Sequence, residues 1–148
     1  MTEELVAAVK RFEGLRLEPY MCPAGYPTIG YGHRCSSLAV PAITAAEADA
    51  LLRDDLARAE LHALALAPNL ADHPRRLAAL TDLVFNVGPG PLRGAGVVRA
   101  LRANDWQDAA RRFRQWNKAR DPITGELAPL PGLTIRRETG ARWIEEGP

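Results

Sequence analysis

Lysine is nearly absent from this sequence. Lys10 and Lys118 are the only two among 148 residues, so arginine carries nearly all of the positive charge. Arginine makes planar, bidentate contacts with carboxylate and phosphate groups that lysine does not make. The formal net charge is only +1. This balance excludes the strongly basic composition of a dedicated nucleic-acid-binding protein, and we expect no nucleic acid as a partner.

Cysteine is also scarce, because the chain contains only Cys22 and Cys35. Two cysteines are too few for a disulfide scaffold, and a chain of this length buries a core without such a staple. We therefore expect two free thiols in a reducing compartment. The cysteines and the three histidines do not show the spacing of a zinc site. The sequence predicts no metal and no cofactor.

Long apolar runs are missing as well. No stretch approaches the length of a membrane span. The N-terminal sequence MTEELVAAVKRF has no basic region followed by an apolar run, so it does not resemble a secretory signal. The sequence predicts no stable membrane association. The overall composition, with 47% hydrophobic and 25% charged residues, is ordinary for a soluble globular protein, and the length predicts one domain spanning residues 1–148.

The N-terminal part of the chain predicts a short helix followed by a small sheet. Apolar residues recur at helical spacing over residues 3–13, and Gly14 is a plausible stop. From residue 15 to residue 33 prolines and glycines alternate with residues that favour extended chain, which predicts a hairpin or a three-stranded sheet. Thr44 and Glu47 then form a capping box that opens a long helix towards Pro68.

The remainder of the chain predicts further helices. The weaker cap of Asn104 with Gln107 precedes one of them. The predicted helices cover 74–87, 92–103, 106–118 and 134–145, and a loop covers 120–133. The predicted fold class is therefore α+β, with a small sheet lobe at about 14–35 and a helical lobe, a C-terminal bundle, at about 43–148.

Residues 12–34, FEGLRLEPYMCPAGYPTIGYGHR, hold the candidate chemistry. Glu13 stands at a helix C-terminus, where the macrodipole and partial burial both favour the protonated form that a general acid needs. The hairpin after it could bring Cys22 and Thr28 to face Glu13, so that a thiol and a hydroxyl hold a water molecule. The alternative is a solvated glutamate, a small core cysteine and a strand-forming threonine, and spacing alone favours that alternative.

The same stretch resembles the catalytic motif of the phage T4-type lysozymes, glycoside hydrolase family 24. That motif is a glutamate, eight residues, an aspartate or cysteine, five residues and a threonine. Glu13, Cys22 and Thr28 fit it without a gap. Downstream, LTDLVFNVGPGPLRG resembles the FNVG turn of the family, and RRFRQWNKA and LPGLTIRRE resemble its C-terminal segments. The resemblance covers most of the chain in the right order and implies a mostly helical, lysozyme-like fold.

The resemblance implies a muramidase that hydrolyses the β-1,4 bond between N-acetylmuramic acid and N-acetylglucosamine in peptidoglycan. Glu13 would be the general acid, and Cys22 and Thr28 would position or activate the attacking water, giving inversion. Inverting enzymes commonly use a carboxylate for that task. A neutral thiol is a poor base, and a nearby Glu13 carboxylate would oppose its ionisation. We therefore interpret Cys22 as a water-orienting residue, with a retaining, covalent mechanism as the open alternative.

Four further residues are candidates for substrate binding. His33 closes the TIGYGH segment, where a structural pairing with an acid or a backbone carbonyl is the simpler interpretation. The resemblance places Phe85 and Asn86 on the cleft, whereas core packing and a helix-end cap are the alternatives. Arg136 could meet acidic stem peptides or muramyl carboxylates, and a solvated helix face is an equally simple explanation.

In biological terms, the resemblance implies an endolysin of a phage or prophage. We expect a monomer that waits in the host cytoplasm until a holin opens the membrane, and that then acts on peptidoglycan strands in the periplasm or cell wall. Two alternatives remain. One is a catalytically impaired peptidoglycan-binding module of the same fold, favoured by cysteine in place of aspartate. The other is an enzyme domain that serves a phage tail or a bacterial competitor.

Overall fold

The computed structural model of the chain describes residues 1–147. Six α-helices and two small, separate antiparallel sheets make up this part of the chain, which confirms the α+β fold class. The helices are α1 (Glu3–Glu13), α2 (Ala45–Leu66), α3 (Pro74–Val87), α4 (Gly96–Arg102), α5 (Trp106–Arg114) and α6 (Pro131–Glu146). The strands are β1 (Arg16–Met21), β2 (Pro27–Gly30), β3 (His33–Arg34), β4 (Lys118–Arg120) and β5 (Leu127–Pro129).

The chain forms two compact units. The first contains Met1 and Glu3–Arg58, and the second contains Thr2 and the chain from Ala59 onward. The first unit therefore holds α1, the three-stranded sheet and the N-terminal part of α2. The second unit holds the rest of α2, helices α3 to α6 and the two-stranded sheet.

In the first unit, the sheet has the order β1-β2-β3 with antiparallel pairs. Helix α1 spans the predicted range and ends at Glu13, as expected from Gly14, whose φ of +71° lies in the left-handed region that favours glycine. The helix buries Leu5, Val6 and Val9. The predicted three-stranded sheet is confirmed, and it follows directly on the helix that carries the candidate acid.

Two features of α2 fix its start and its contact with α1. The predicted capping box is present, because the Glu47 N–H donates to Thr44 Oγ1 at 3.2 Å and the Thr44 N–H donates to Glu47 Oε2 at 2.7 Å. Arg53 joins the two helices by donating to Glu3 Oε1 at 2.7 Å. It also donates to Asp49 Oδ2 within α2 at 2.8 Å. Exposed pairs of this kind contribute at most about 1 kcal/mol each, so they orient the helices more than they stabilise them.

The core of the second unit is built from its helices and from the segments that connect them, and α3 is buried on every side from Leu77 to Val84. Helix α3 spans the predicted 74–87, starts with Pro74 at a position where the missing N–H costs nothing, and ends at Gly88. Among residues 59–147, the large fully buried apolar side chains are Leu70, Leu80, Leu83, Leu92, Leu101, Phe113 and Ile144.

Three predicted boundaries in the second unit were wrong. Helix α4 begins at Gly96 rather than at residue 92, because Gly94 adopts a φ of +72° that interrupts the helix. Helix α5 is capped by Asp105, whose Oδ1 accepts the Asp108 N–H at 3.0 Å. The predicted cap, Asn104, instead takes the left-handed conformation, with φ +57°, that ends α4. Helix α5 also ends at Arg114, four residues before the predicted end.

The predicted loop at 120–133 was wrong in two respects. It contains most of a hairpin, in which Lys118–Arg120 pairs with Leu127–Pro129. The Asp121 carboxylate closes its turn by accepting the N–H groups of Ile123 and Thr124, both at 2.8 Å. Helix α6 begins at Pro131 rather than at residue 134. Strands of three residues carry little periodicity, and a proline at the first position of a helix looks like a loop residue in sequence.

Among residues 1–147, no helix is both long and apolar enough to cross a membrane. Over the same range, no group of three or more His, Cys, Asp or Glu side chains is arranged so that it could hold a metal ion.

Gly140 gives a stability prediction for the packing of α5 against α6. A β-carbon at Gly140 would lie 2.5 Å from Cε1 of Phe113, whose side chain is fully buried. We expect Gly140→Ala to lower the free energy of unfolding by about 1–3 kcal/mol, because overpacking outweighs the gain in helix propensity. Urea denaturation of both proteins measures this change.

The control is Gly132→Ala on the same helix, because no heavy atom lies within 4 Å of a β-carbon built there. That variant should be unchanged or more stable by up to about 1 kcal/mol. Equal stability of Gly140→Ala and the parent protein would contradict close packing at this position.

Candidate active site

Glu13 is held between two glycine turns. It is the last residue of α1, and the chain leaves the helix through Gly14, whose N–H donates to the Lys10 carbonyl at 3.0 Å. The half-buried carboxyl group faces the β2–β3 turn, where a β-carbon at Gly32 would lie 3.4 Å from Glu13 Oε2. Gly32 has a φ of +86°, which only glycine adopts readily. The turn therefore places backbone atoms, with no side chain, next to the carboxyl group.

Cys22 and Thr28 lie in the hairpin that follows, Cys22 immediately after β1 and Thr28 on β2. The Cys22 N–H donates to the Tyr26 carbonyl at 3.0 Å, and the Gly25 N–H donates back to the Cys22 carbonyl at 2.8 Å, which closes the turn. Thr28 is 3% exposed, pairs with Tyr20 across the sheet, and donates its hydroxyl to the Tyr26 carbonyl at 2.9 Å. The hairpin thus brings the predicted thiol and the predicted hydroxyl side by side.

The sulfur of Cys22 lies among hydrogen-bond donors. A backbone hydrogen bond from Tyr26 is the main cause that lowers the pKa of the Cys22 thiol, and the Thr28 side chain, a backbone hydrogen bond from Ala24 and the positive charge of Arg34 act in the same direction. Partial burial opposes them but does not prevail. The expected opposition of a Glu13 carboxylate to this ionisation stays a prediction. A lowered pKa increases the thiolate fraction near neutral pH.

His33 forms the acid pairing that was the simpler interpretation of the sequence. Its Nδ1 lies 2.8 Å from Asp55 Oδ2, and both side chains are half-buried. Asp55 also accepts from Arg58 one turn further along α2. Because His33 pairs with Ile29 on β2, this contact ties the short third strand to α2. Contact between His33 and substrate stays a prediction.

The second unit holds a buried charge cluster at the predicted residue Arg136. Arg136 is 4% exposed and donates to Asp82 through Nε at 3.0 Å and through Nη2 at 2.7 Å. The expected alternative of a solvated helix face was wrong, because both Arg136 and the neighbouring Arg137 are buried. A guanidinium that is enclosed and paired in this way holds α6 against α3, and the role of Arg136 in substrate binding stays a prediction.

Arg137 connects several parts of the second unit. Its Nε donates to the Trp116 carbonyl at 2.8 Å, and its Nη2 donates to Asn86 Oδ1. Burial lowers the pKa of Arg137 to about 10, although the charge of Asp82 acts in the opposite direction. Asn86 is exposed and Phe85 is half-buried at the end of α3. The predicted cleft residue Asn86 is therefore positioned by a buried arginine, while its contact with substrate stays a prediction.

Arg34 is a candidate that the sequence did not single out. It stands directly opposite Thr28 in the β2–β3 pair, and its guanidinium carbon lies 3.8 Å from the centre of the Tyr26 ring. Sequence spacing gives no sign of this placement, because the register of the sheet decides which residues become neighbours.

Taken together, the first unit places a half-buried carboxyl group, a thiol surrounded by donors and a buried hydroxyl on consecutive elements of one sheet lobe. A carboxyl group of this kind can donate a proton to a leaving group. A thiol and a hydroxyl can orient a water molecule through hydrogen bonds. This is an arrangement suited to acid-assisted hydrolysis.

Comparison with known proteins gives consistent results. A family model described as phage lysozyme matches residues 10–140. An endolysin of Acyrthosiphon pisum secondary endosymbiont phage 1 is 35% identical over 93% of this chain and 92% of its own length. The endolysin of Salmonella phage P22 is 35% identical over 79% of this chain and 84% of its own length. A SAR-endolysin of Enterobacteria phage P21 is 32% identical over 72% of this chain and 65% of its own length.

A solved structure agrees with these relatives. The muramidase domain of SpmX from Asticaccaulis excentricus superposes with a TM-score of 0.85 at 30% identity, covering 97% of this chain and 95% of that one.

The hydrogen-bond donors around Cys22 predict how the reactivity of its thiol depends on pH. In a Cys35→Ser background, the rate of alkylation of Cys22 by iodoacetamide should rise with pH, because only the thiolate reacts. Since the folded protein lowers the pKa of this thiol, the midpoint should lie at lower pH in the native protein than in the same protein unfolded in urea.

Thr28→Val tests whether the Thr28 hydroxyl contributes to the lowered pKa of the Cys22 thiol. Removing the hydroxyl beside the sulfur should move the native midpoint part of the way towards the unfolded value. A native midpoint at or above the unfolded one would contradict the described surroundings of the sulfur.

Proposed function

The chain belongs to the phage lysozyme family, and from this premise we propose that it cleaves the β-1,4 bond between N-acetylmuramic acid and N-acetylglucosamine. It is a glycoside hydrolase of the lysozyme type, and peptidoglycan is its substrate. The proposed bond and mechanism rest on one observation, the position of Glu13. Its half-buried carboxyl group lies at the end of α1 next to the backbone of Gly32. Cys22 and Thr28 follow it on the adjoining hairpin.

In the proposed reaction, Glu13 donates its proton to the glycosidic oxygen as the bond to the anomeric carbon breaks. The departing sugar leaves as a neutral alcohol. Positive charge develops on the remaining ring, which resembles an oxocarbenium ion in the transition state.

Cys22 and Thr28 hold the attacking water on the opposite face of the ring, so the reaction inverts the anomeric carbon. Because the ring carries much of the positive charge, the water needs little deprotonation in the transition state, and its proton leaves to solvent afterwards. The donors around the sulfur support the orienting role, since they fix the side chain and increase its thiolate character. A thiolate accepts a hydrogen bond from water more strongly than a thiol does.

Four further residues are proposed to bind substrate or to support its binding. Phe85 and Asn86 would contact the glycan at the end of α3, where Arg137 fixes the Asn86 amide. His33 would contribute next to the hairpin, fixed by Asp55. Arg136 would act through the stability of the α3–α6 contact, which its pair with Asp82 supports.

The proposed setting is lysis of a bacterial host. The enzyme acts on the cell wall after release from the cytoplasm, as a monomer and as a single catalytic domain. Release through a holin is the route expected from the sequence. The similarity to a protein named SAR-endolysin points to other routes of release as well.

Turbidity clearing of Gram-negative cells stripped of their outer membrane tests the role of Glu13. We expect the parent protein to clear the suspension and Glu13→Gln to lose about 100- to 10,000-fold in rate, the usual contribution of a general acid. Glu18→Gln is the matched control, because Glu18 is an exposed carboxylate on β1. It should clear at the parent rate.

Cys22→Ser is assayed alongside and should retain much more activity than Glu13→Gln, because serine also orients water. A loss as complete as that of Glu13→Gln would instead assign Cys22 a base or nucleophile role. Equal clearing by the parent and Glu13→Gln would overturn the proposed acid. No clearing by the parent protein would favour a binding module of the same fold.

The anomer of the first product distinguishes inversion from retention. Proton NMR recorded within seconds of mixing with soluble glycan strands should show the α-anomer at the new reducing end before mutarotation. An initial β-anomer would require a covalent glycosyl-enzyme intermediate.

A further inference from the structure

Arg34 lies in the same row of the sheet as Thr28. Tyr20 on β1, Thr28 on β2 and Arg34 on β3 pair directly across the two ladders. Residues that stand directly opposite each other in antiparallel strands project from the same face of the sheet. The Arg34 side chain is therefore on the face that carries the proposed water-holding hydroxyl.

The adjoining row contains Cys22 and Tyr26, which face each other across the turn of the hairpin. The Arg34 guanidinium extends diagonally over the Tyr26 ring, 3.8 Å from its centre. Its positive charge is one of the causes that lower the pKa of the Cys22 thiol. Such diagonal neighbours are within reach of long side chains. The stacking holds the planar group in one orientation beside the proposed reaction site.

The guanidinium has no acidic partner within the described part of the chain. Two arginines of the first unit are paired, Arg53 with Glu3 and Arg58 with Asp55. Arg34 is exposed and forms no ion pair with any of residues 1–147. Its N–H donors therefore remain available to a bound anion, and a planar guanidinium fits a carboxylate by two parallel hydrogen bonds.

We infer that Arg34 binds a carboxylate carried by the muramyl residue of the glycan strand and thereby selects muramyl-containing substrate. This inference rests on the proposed function, because it assumes that the strand passes Cys22 and Thr28. Peptidoglycan offers such a carboxylate in two places. One is the lactyl group where the stem peptide is absent, and the other is the acidic residues of the stem peptide where it is present. N-acetylglucosamine residues carry none.

The test compares hydrolysis of three soluble substrates by the parent protein and by Arg34→Gln. The first is peptide-bearing glycan, the second is peptide-free strands with free lactyl carboxylates, and the third is those same strands after conversion of the carboxylates to methyl amides. We expect Arg34→Gln to raise KM about tenfold on carboxylate-bearing substrate, the size of one charge-assisted hydrogen bond, with kcat little changed. On the amidated strands the two proteins should have equal KM.

The pattern across the substrates identifies the source of the carboxylate. An increase in KM on the peptide-free strands assigns it to the lactyl group, whereas an increase confined to peptide-bearing glycan assigns it to the stem peptide. Arg34→Lys should give an intermediate KM, because lysine keeps the charge but not the planar pair of donors. Added salt should reduce the difference between the parent protein and Arg34→Gln.

Arg16→Gln is the matched control. Arg16 also stacks on a tyrosine of this sheet, 4.7 Å from the centre of the Tyr20 ring, but it pairs with Gly30 at the opposite end of β2 from Cys22. Its KM should stay at the parent value on all three substrates, and equal thermal unfolding midpoints would show that neither change disturbs folding.

Two outcomes would overturn the inference. One is an equal increase in KM for Arg34→Gln on carboxylate-bearing and on amidated strands, which would mean that Arg34 acts only through Cys22. The other is an equal increase in KM for Arg16→Gln and Arg34→Gln, which would mean that any positive charge on this sheet attracts the anionic strand. Failure of the parent protein to hydrolyse any strand would instead remove the proposed function itself, so the two failures are distinguishable.

Discussion

The antiparallel register of the three-stranded sheet is the constraint on which the candidate site depends. It places Thr28 between Tyr20 and Arg34 and sets Cys22 opposite Tyr26. A shift by a single residue would turn every one of these side chains to the other face. The tight turn after Cys22 fixes the register, because the Gly25 N–H closes it onto the Cys22 carbonyl. The site is therefore a consequence of backbone pairing, not of sequence proximity alone.

The second requirement is that the carboxyl group of Glu13 lies next to this sheet with no other side chain between them. Gly14 ends α1 immediately after Glu13, and Gly32 brings bare backbone to the carboxyl group. Both glycines take positive φ values, which other residues adopt only with strain. A helix end, a tight turn and a proposed catalytic acid are thus one feature. The short spacing of the motif reflects how little chain is needed to bring these elements together.

In the second unit, charged side chains are buried in the core. Arg136 and Arg137 are buried next to Asp82, and Arg137 also donates hydrogen bonds to Asn86 and to the Trp116 carbonyl. Removing one partner from a buried pair commonly costs about 3–5 kcal/mol, because the remaining charge is left uncompensated. The cluster therefore holds α6 against α3. Arg137 of this cluster also donates to Asn86, which the sequence proposes as a glycan contact.

The sequence by itself determined the α+β class, the bounds of α1 and α3, the capped start of α2 and the family motif of Glu13, Cys22 and Thr28. These features depend on local periodicity, capping and spacing, which the chain carries without its tertiary context. Only the tertiary structure decided that Arg136 is buried and that Arg34 lies beside Thr28. The reason is physical: burial and cross-strand neighbours arise from residues distant in sequence, and a charged side chain shows in sequence neither its partner nor its exposure.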